Sequence, residues 1–161
     1  GVGGAALGAL SALAAGINML GNVAAGRLLA RGARPGALLA VGYGAMALGG
    51  LVAFGAAGHP WVQYAAVLLF SSLGGLIPGT LFGLAVVLAP DKETVSTTVG
   101  WMQQWSSLGQ FAGPPLVAWL ATQAGGWQWT GLFTGACSMA GLALAWRLQR
   151  VWAGRYTAAR L

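Results

Sequence analysis

The chain alternates long apolar segments with short breaks that contain glycine, proline or charged residues. An α-helix needs roughly 20 mostly apolar residues to cross the hydrocarbon core of a bilayer. The pattern therefore predicts an all-α fold, a polytopic membrane helix bundle with five transmembrane helices. The five segments are about Gly3–Leu29, Gly36–Ala57, Trp61–Leu88, Val99–Thr122 and Trp127–Leu148.

The breaks between these segments are only a few residues long, so they predict short loops. They read "RGARPG" at 31–36, "GHP" at 58–60, "PDKE" at 90–93 and "QAGG" at 123–126. Short connections favour antiparallel neighbours. The segments should therefore cross the membrane in alternating directions.

Polar side chains within two of the segments recur on one helical face. At 100° per residue, Ser11, Asn18 and Asn22 form a narrow stripe on the first segment. The fourth segment has a second stripe, formed by Gln103, Ser107 and Gln110, with the tryptophans at 101 and 105 on its opposite face. Such amides either bridge neighbouring helices or line a wet cavity. Two stripes on two segments favour a shared cavity.

Glycine spacing indicates where helices approach each other closely. Gly75, Gly79 and Gly83 form a four-residue repeat in the third segment, where Pro78 predicts a kink. The same spacing recurs at 4/8, 109/113 and 131/135. We expect these glycines to be sites of tight helix packing.

Composition and charge agree with a membrane solvent. The chain is 57% hydrophobic and only 6% charged, whereas soluble domains carry about 25% charged residues. The lipid bilayer is therefore the expected partner. The net charge of +6 does not indicate nucleic acid, because the basic residues lie in loops and at the C-terminal end.

The distribution of basic residues predicts the orientation. All eight lie at or after the ends of the first, third and fifth segments, and such residues favour the cytoplasmic side. We expect an integral protein of the plasma (inner) membrane, with residues 149–161 as a basic cytoplasmic tail and His59 outside. An odd number of spans and a first residue other than methionine predict that residues 1–161 are the C-terminal membrane bundle of a longer chain. The basic residues are Arg27, Arg31, Arg34, Lys92, Arg147, Arg150, Arg155 and Arg160.

Catalysis is not expected. The single histidine, His59, lies in an external turn, and the two acids, Asp91 and Glu93, lie in a cytoplasmic loop. No metal-ligand spacing is present. We therefore predict no catalytic residues, no metal and no cofactor.

Three stretches resemble the C-terminal half of a major facilitator superfamily transporter, over helices eight to twelve. "GRLLARGAR" at Gly26–Arg34 is similar to the glycine–aspartate–arginine loop of that family, although Ala30 stands where the aspartate would be. "GGLIPGTLFGLAVVLAP" at Gly74–Pro90 resembles the tenth helix. "GWMQQWSSLGQFAGPPLVAWLATQAGGW" at Gly100–Trp127 resembles the eleventh helix and the following loop.

The resemblance implies transport of a small solute by alternating access, with helices eight, ten and eleven lining the cavity. The missing N-terminal half of the same protein would supply the rest of the site. We assign the substrate path to Asn18, Asn22, Gln103, Ser107 and Gln110. The conformational loop and hinge are assigned to Gly26, Arg31, Gly75, Pro78, Gly79, Gly113 and Pro114. A non-transporting membrane subunit that packs against a partner protein is the main alternative.

Overall fold

Six α-helices form the fold, which is described by a computed structural model for the backbone of residues 3–158 and the side chains of residues 3–150. In the predicted basic tail, the side chains from residue 151 onward, including that of Arg155, and all of residues 159–161, including Arg160, lie outside this description. The helices are α1 (Gly4–Ala30), α2 (Pro35–Gly55), α3 (Pro60–Gly74), α4 (Leu76–Leu88), α5 (Val95–Gln123) and α6 (Gln128–Ala158).

The helices end where glycine can adopt a backbone conformation that other residues avoid. Gly32, Gly58 and Gly125 have φ values of 85°, 82° and 77°, in the left-handed region that glycine enters without steric cost. Each lies in a predicted break. Proline at the start of α2 and of α3 suits these ends, because a first-turn N–H has no helical partner to lose.

The third predicted segment forms two helices. The backbone N–H groups of Gly75 and Gly79 still donate to the carbonyls of Ser71 and Gly75. Pro78 has no N–H, so the carbonyl of Gly74 loses its partner four residues later, and the proline ring crowds that carbonyl. The predicted kink therefore takes the form of an interruption at Gly75, between α3 and α4.

The helices lie across the bundle in the order α6, α2, α3–α4 and α1, and α5 contacts α4 and α6. Small residues permit the closest crossings. A methyl group at Gly79 would lie 2.7 Å from the carbonyl oxygen of Asn22, and one at Gly131 would lie 3.0 Å from that of Gly50. The predicted packing role thus holds for the repeat in α3–α4 and for Gly131 in α6.

A methyl group at Gly135 would just touch the Leu51 side chain, at 4.0 Å, but the remaining four predicted glycines have no such neighbour among the described residues. Methyl groups at Gly4, Gly8, Gly109 and Gly113 would meet no atom within 4 Å. These glycines lie on helix faces that no described residue covers. Their spacing alone did not distinguish a packed face from an open one.

Three helical segments are both long and apolar enough to cross a membrane: Gly4–Ala30, Pro35–Gly55 and the combined Pro60–Leu88. The chain is therefore consistent with an integral membrane protein. α5 and α6, with 29 and 31 residues, have the length for a span but include more polar side chains. The five-span bundle remains a prediction for these two helices.

Candidate functional site

The interruption at Gly75 lies at the middle of the longest apolar segment. Residues 60–88 make up this segment, and Gly74 is its central residue. Backbone groups without helical partners are tolerated at membrane depth only where they are buried in protein or line a wet cavity. Gly74 is buried from bulk solvent, and its backbone lines a cavity.

This cavity has a volume of about 420 Å³ and lies where α1, α2, α3–α4 and α5 meet. Its walls combine apolar side chains with two amides, a serine hydroxyl and a phenol. The lining residues are Asn18, Tyr43, Met46, Phe70, Ser71, Gly74, Ile77, Pro78 and Gln110. We call it the central cavity.

Asn18 connects α1 to α3. Its Nδ2 donates to the carbonyl oxygen of Ser71 at 2.9 Å, and the Ser71 hydroxyl donates to the carbonyl oxygen of Ala14. Helix bridging, one of the two interpretations open from the sequence, therefore describes Asn18. Asn18 is also one of the residues that line the central cavity.

Asn22 supports Asn18. Its Nδ2 donates to the Asn18 Oδ1 at 3.1 Å and to the Asn18 carbonyl oxygen at 3.2 Å. An amide oxygen can accept two hydrogen bonds and an amide nitrogen can donate two. Asn18 thus keeps one acceptor position and one N–H beyond the bonds to Asn22 and Ser71.

Gln110 is the residue of the α5 stripe that reaches the central cavity. Its Nε2 donates to the Ser106 hydroxyl at 3.2 Å, within the same helix. Gln103 donates to the Ser107 hydroxyl at 3.4 Å. Both of these side chains are exposed and lie outside the lining of the cavity.

The predicted substrate path is therefore brought together in part. Asn18 and Gln110, from different helices, share one cavity, and Asn22 is hydrogen-bonded to Asn18. Gln103 lies seven residues before Gln110, about 10 Å further along α5. Gln103 and Ser107 face outward, as does Ser11.

Two polar lining residues were not assigned from the sequence, Tyr43 and Ser71. Tyr43 is the only polar side chain in the predicted second segment. The polar groups of the third segment, Ser71, Ser72 and Thr80, scatter around the helix axis, so they form no stripe that points to Ser71. However, Ser71, Gly74 and Pro78 are spaced by three and four residues, which places them on one face. The position of the proline could have identified that face.

The predicted conformational residues have different surroundings. Gly75 and Gly79 lie against the backbone of α1. A methyl group at Gly26 would meet no atom within 4 Å. Arg31 is an exposed residue at the end of α1. Pro114 lies inside α5, which continues through it.

The comparisons with known proteins place no relative beside this site: no family model, curated protein or solved structure matches the chain.

Proposed function

We propose that the chain is part of a secondary transporter that moves a small polar solute across the plasma membrane by alternating access, as in the major facilitator superfamily. The observation that carries the proposal is the central cavity at the interrupted helix, which Asn18 and Gln110 both line. The resemblance of Gly74–Pro90 and Gly100–Trp127 to helices ten and eleven of that family supports it. Further helices from an N-terminal half would complete the path.

The chemistry of the cavity favours an uncharged or dipolar solute. The described lining is mostly apolar and includes no charged residue, and the amides of Asn18 and Gln110 can donate and accept hydrogen bonds without a fixed charge. Both acids of the chain, Asp91 and Glu93, belong to the α4–α5 connection. A binding mode based on a carboxylate would therefore need residues from elsewhere.

The position of the interruption also fits a transporter. Substrate sites in many secondary transporters lie near the bilayer midplane and use discontinuous helices whose freed backbone groups face the solute. Here Gly74 is central in residues 60–88, and its carbonyl lacks the Pro78 N–H. A solute could donate a hydrogen bond to this carbonyl oxygen, which accepts none from Pro78.

A non-transporting membrane subunit is the second candidate, favoured by one feature of α5. The Gln103 and Ser107 side chains are exposed and bond only each other among the contacts described for them. In hydrocarbon, such groups are costly unless they are paired or hydrated. A helix of a partner protein that paired with them would meet that requirement without any transport.

Water access to the central cavity tests the transporter proposal without knowledge of the substrate. Cys137 would first be replaced by serine. Single cysteines at Gln110 and at Trp105 would then be reacted, in proteoliposomes, with a hydrophilic maleimide. Trp105 is the matched control because it lies on the opposite face of α5 and is 65% exposed to what would be lipid. Labelling at 110 with little at 105 is the expected result.

A transport measurement separates the two candidates. The complete protein would be assayed in proteoliposomes against a panel of labelled polar metabolites. Saturable uptake that Gln110→Ala alters in apparent affinity supports the transporter. No uptake of any solute, together with an unlabelled position 110, would favour the subunit.

A further inference from the structure

A second concave surface lies between α2, α4 and α6. Its lining does not include Asn18 or Gln110, the amides of the central cavity. Two adjoining cavities of about 280 and 300 Å³ share Leu39, Ala145 and Leu148 in their walls. Leu81 and Leu84 of α4 complete the apolar lining. We call this continuous depression the α2–α6 groove.

The two ends of the α2–α6 groove differ in polarity. Arg34 and Gln149 lie at one end, and Tyr43 lies at the other. Nine residues of the α2 region separate Arg34 from Tyr43, which corresponds to about 13 Å at the helical rise. The hydrocarbon depth of one leaflet is about 15 Å, half of the ~30 Å core. The groove therefore matches one leaflet in length.

The charged end offers several hydrogen-bond donors. Arg34 is exposed and precedes Pro35, the first residue of α2. Gly36 lies in the first helical turn, where an N–H has no intrahelical partner, and the Gln149 side chain packs directly against Gly36. A further cavity of about 350 Å³, beside the loop at Gly32, also has Arg34 in its wall. Arg34 thus lines both this cavity and the groove.

The charge balance of the chain favours an anion there. Eight basic residues face two acids in the whole sequence. Of those acids, the Asp91 carboxylate already accepts the backbone N–H of Thr94 at 2.8 Å. A phosphodiester is the anion that a bilayer itself supplies. An arginine with neighbouring N–H groups can donate hydrogen bonds to its two non-bridging oxygens.

We infer that the α2–α6 groove is a binding site for an anionic phospholipid, with one acyl chain along Leu39, Ala145 and Leu148 and the phosphate at Arg34. Lipid binding here does not require the proposed transport function, because Asn18 and Gln110 lie outside the groove, although Tyr43 lines both the groove and the central cavity. The bound lipid would contact α2, α4 and α6 at the same time.

Lipid titration of the purified complete protein, followed by native mass spectrometry, tests this site. Phosphatidylglycerol and phosphatidylcholine with identical acyl chains are the two probes. We expect tighter binding of phosphatidylglycerol, and Arg34→Gln should weaken it about tenfold, the effect of losing a hydrogen bond to a charged group. Arg34→Lys should restore part of the affinity. Arg31→Gln is the matched control, because it removes the same charge from the same loop but lies outside the lining; its effect should be about threefold or less, as for a surface charge.

A second variant and a competing anion test whether the acyl chain of the lipid contributes to binding. Ala145→Leu narrows the groove and should weaken both lipids, with circular dichroism used to check that the helices are retained. Inorganic phosphate in large excess should not displace phosphatidylglycerol. Equal losses from Arg31→Gln and Arg34→Gln, no preference between the two lipids, or displacement by phosphate alone would each overturn the lipid site. Because Arg34 is exposed, its variants decide the question even if Ala145→Leu fails to fold.

Discussion

The contact between Gly79 and α1 leaves no room for a side chain. A methyl group there would lie 2.7 Å from the Asn22 carbonyl oxygen and 2.8 Å from the Ala25 Cβ. Ala25 is itself fully buried. We therefore predict that Gly79→Ala destabilises the bundle by about 1–3 kcal/mol, the usual cost of overpacking. Thermal unfolding in detergent, followed by circular dichroism, measures the loss.

Gly16→Ala is the matched control for that variant. Gly16 also lies within a helix, but a methyl group there would meet no atom within 4 Å. Alanine favours helix over glycine by about 0.5–1 kcal/mol, so this variant should be neutral or slightly stabilising. Equal melting temperatures for the two variants would show that α1 and α4 do not cross as described.

The two cavity amides should differ in their effect on stability. Asn18 bonds to the Ser71 carbonyl oxygen of another helix, whereas Gln110 bonds to Ser106 of its own helix. Asn18→Ala should lower stability by about 0.6–2 kcal/mol, the range for interhelical hydrogen bonds in membranes. Gln110→Ala should leave it nearly unchanged. Thermal denaturation of both variants is the check, and a larger loss for Gln110→Ala would contradict the assigned partners.

At the scale of the element, Pro78 is predicted to cause the interruption between α3 and α4. Pro78→Ala supplies an N–H for the Gly74 carbonyl, so the two helices should join into one. Amide hydrogen exchange around residues 74–79 should then become slower. Pro60→Ala is the control, because Pro60 begins α3 and an N–H there would have no helical acceptor. An unchanged rate of amide hydrogen exchange in Pro78→Ala would mean that Gly74 and Gly75, and not the proline, break the helix.

The sequence predicted the helices better than their contacts. Glycines such as Gly32 and Gly58 end helices for a local steric reason, so the breaks could be located from the residues alone. The interruption at Gly75 could be predicted only as a kink near Pro78, because the lost hydrogen bond acts four residues upstream. Whether a glycine face is packed or open, as for Gly79 and Gly113, depends on neighbours that local spacing does not specify.

The polar stripes show the same limit at the candidate site. Spacing correctly grouped Asn18 with Asn22, which are hydrogen-bonded to each other. It also grouped Gln103 with Gln110, although only Gln110 reaches the central cavity. A stripe is long and a cavity is short, so the part of α5 that lines the cavity depends on how the helices cross.

At the scale of the whole molecule, the basic loops lie at one end of the bundle. A methyl group at Gly83, near the end of α4, would touch Leu29 at the end of α1. Gln149, late in α6, packs against Gly36 at the start of α2. The connections that contain Arg31 and Lys92 therefore share an end with Arg147 and Arg150. The α2–α3 connection, which contains His59, joins the end of α2 to the start of α3 and therefore lies at the opposite end of the bundle.

The membrane orientation is the remaining prediction at this scale. Because basic residues favour the cytoplasmic side, we expect positions 31 and 92 to face the cytoplasm and position 59 to face outward. Cys137 is exposed and would first be replaced by serine. Single cysteines at the three positions would then be treated with an impermeant maleimide, in intact cells and after permeabilisation. Position 59 should react in intact cells, and positions 31 and 92 only once the membrane is opened. The reverse pattern would invert the bundle, and labelling of all three positions in intact cells would mean that these connections do not lie on opposite sides of the membrane.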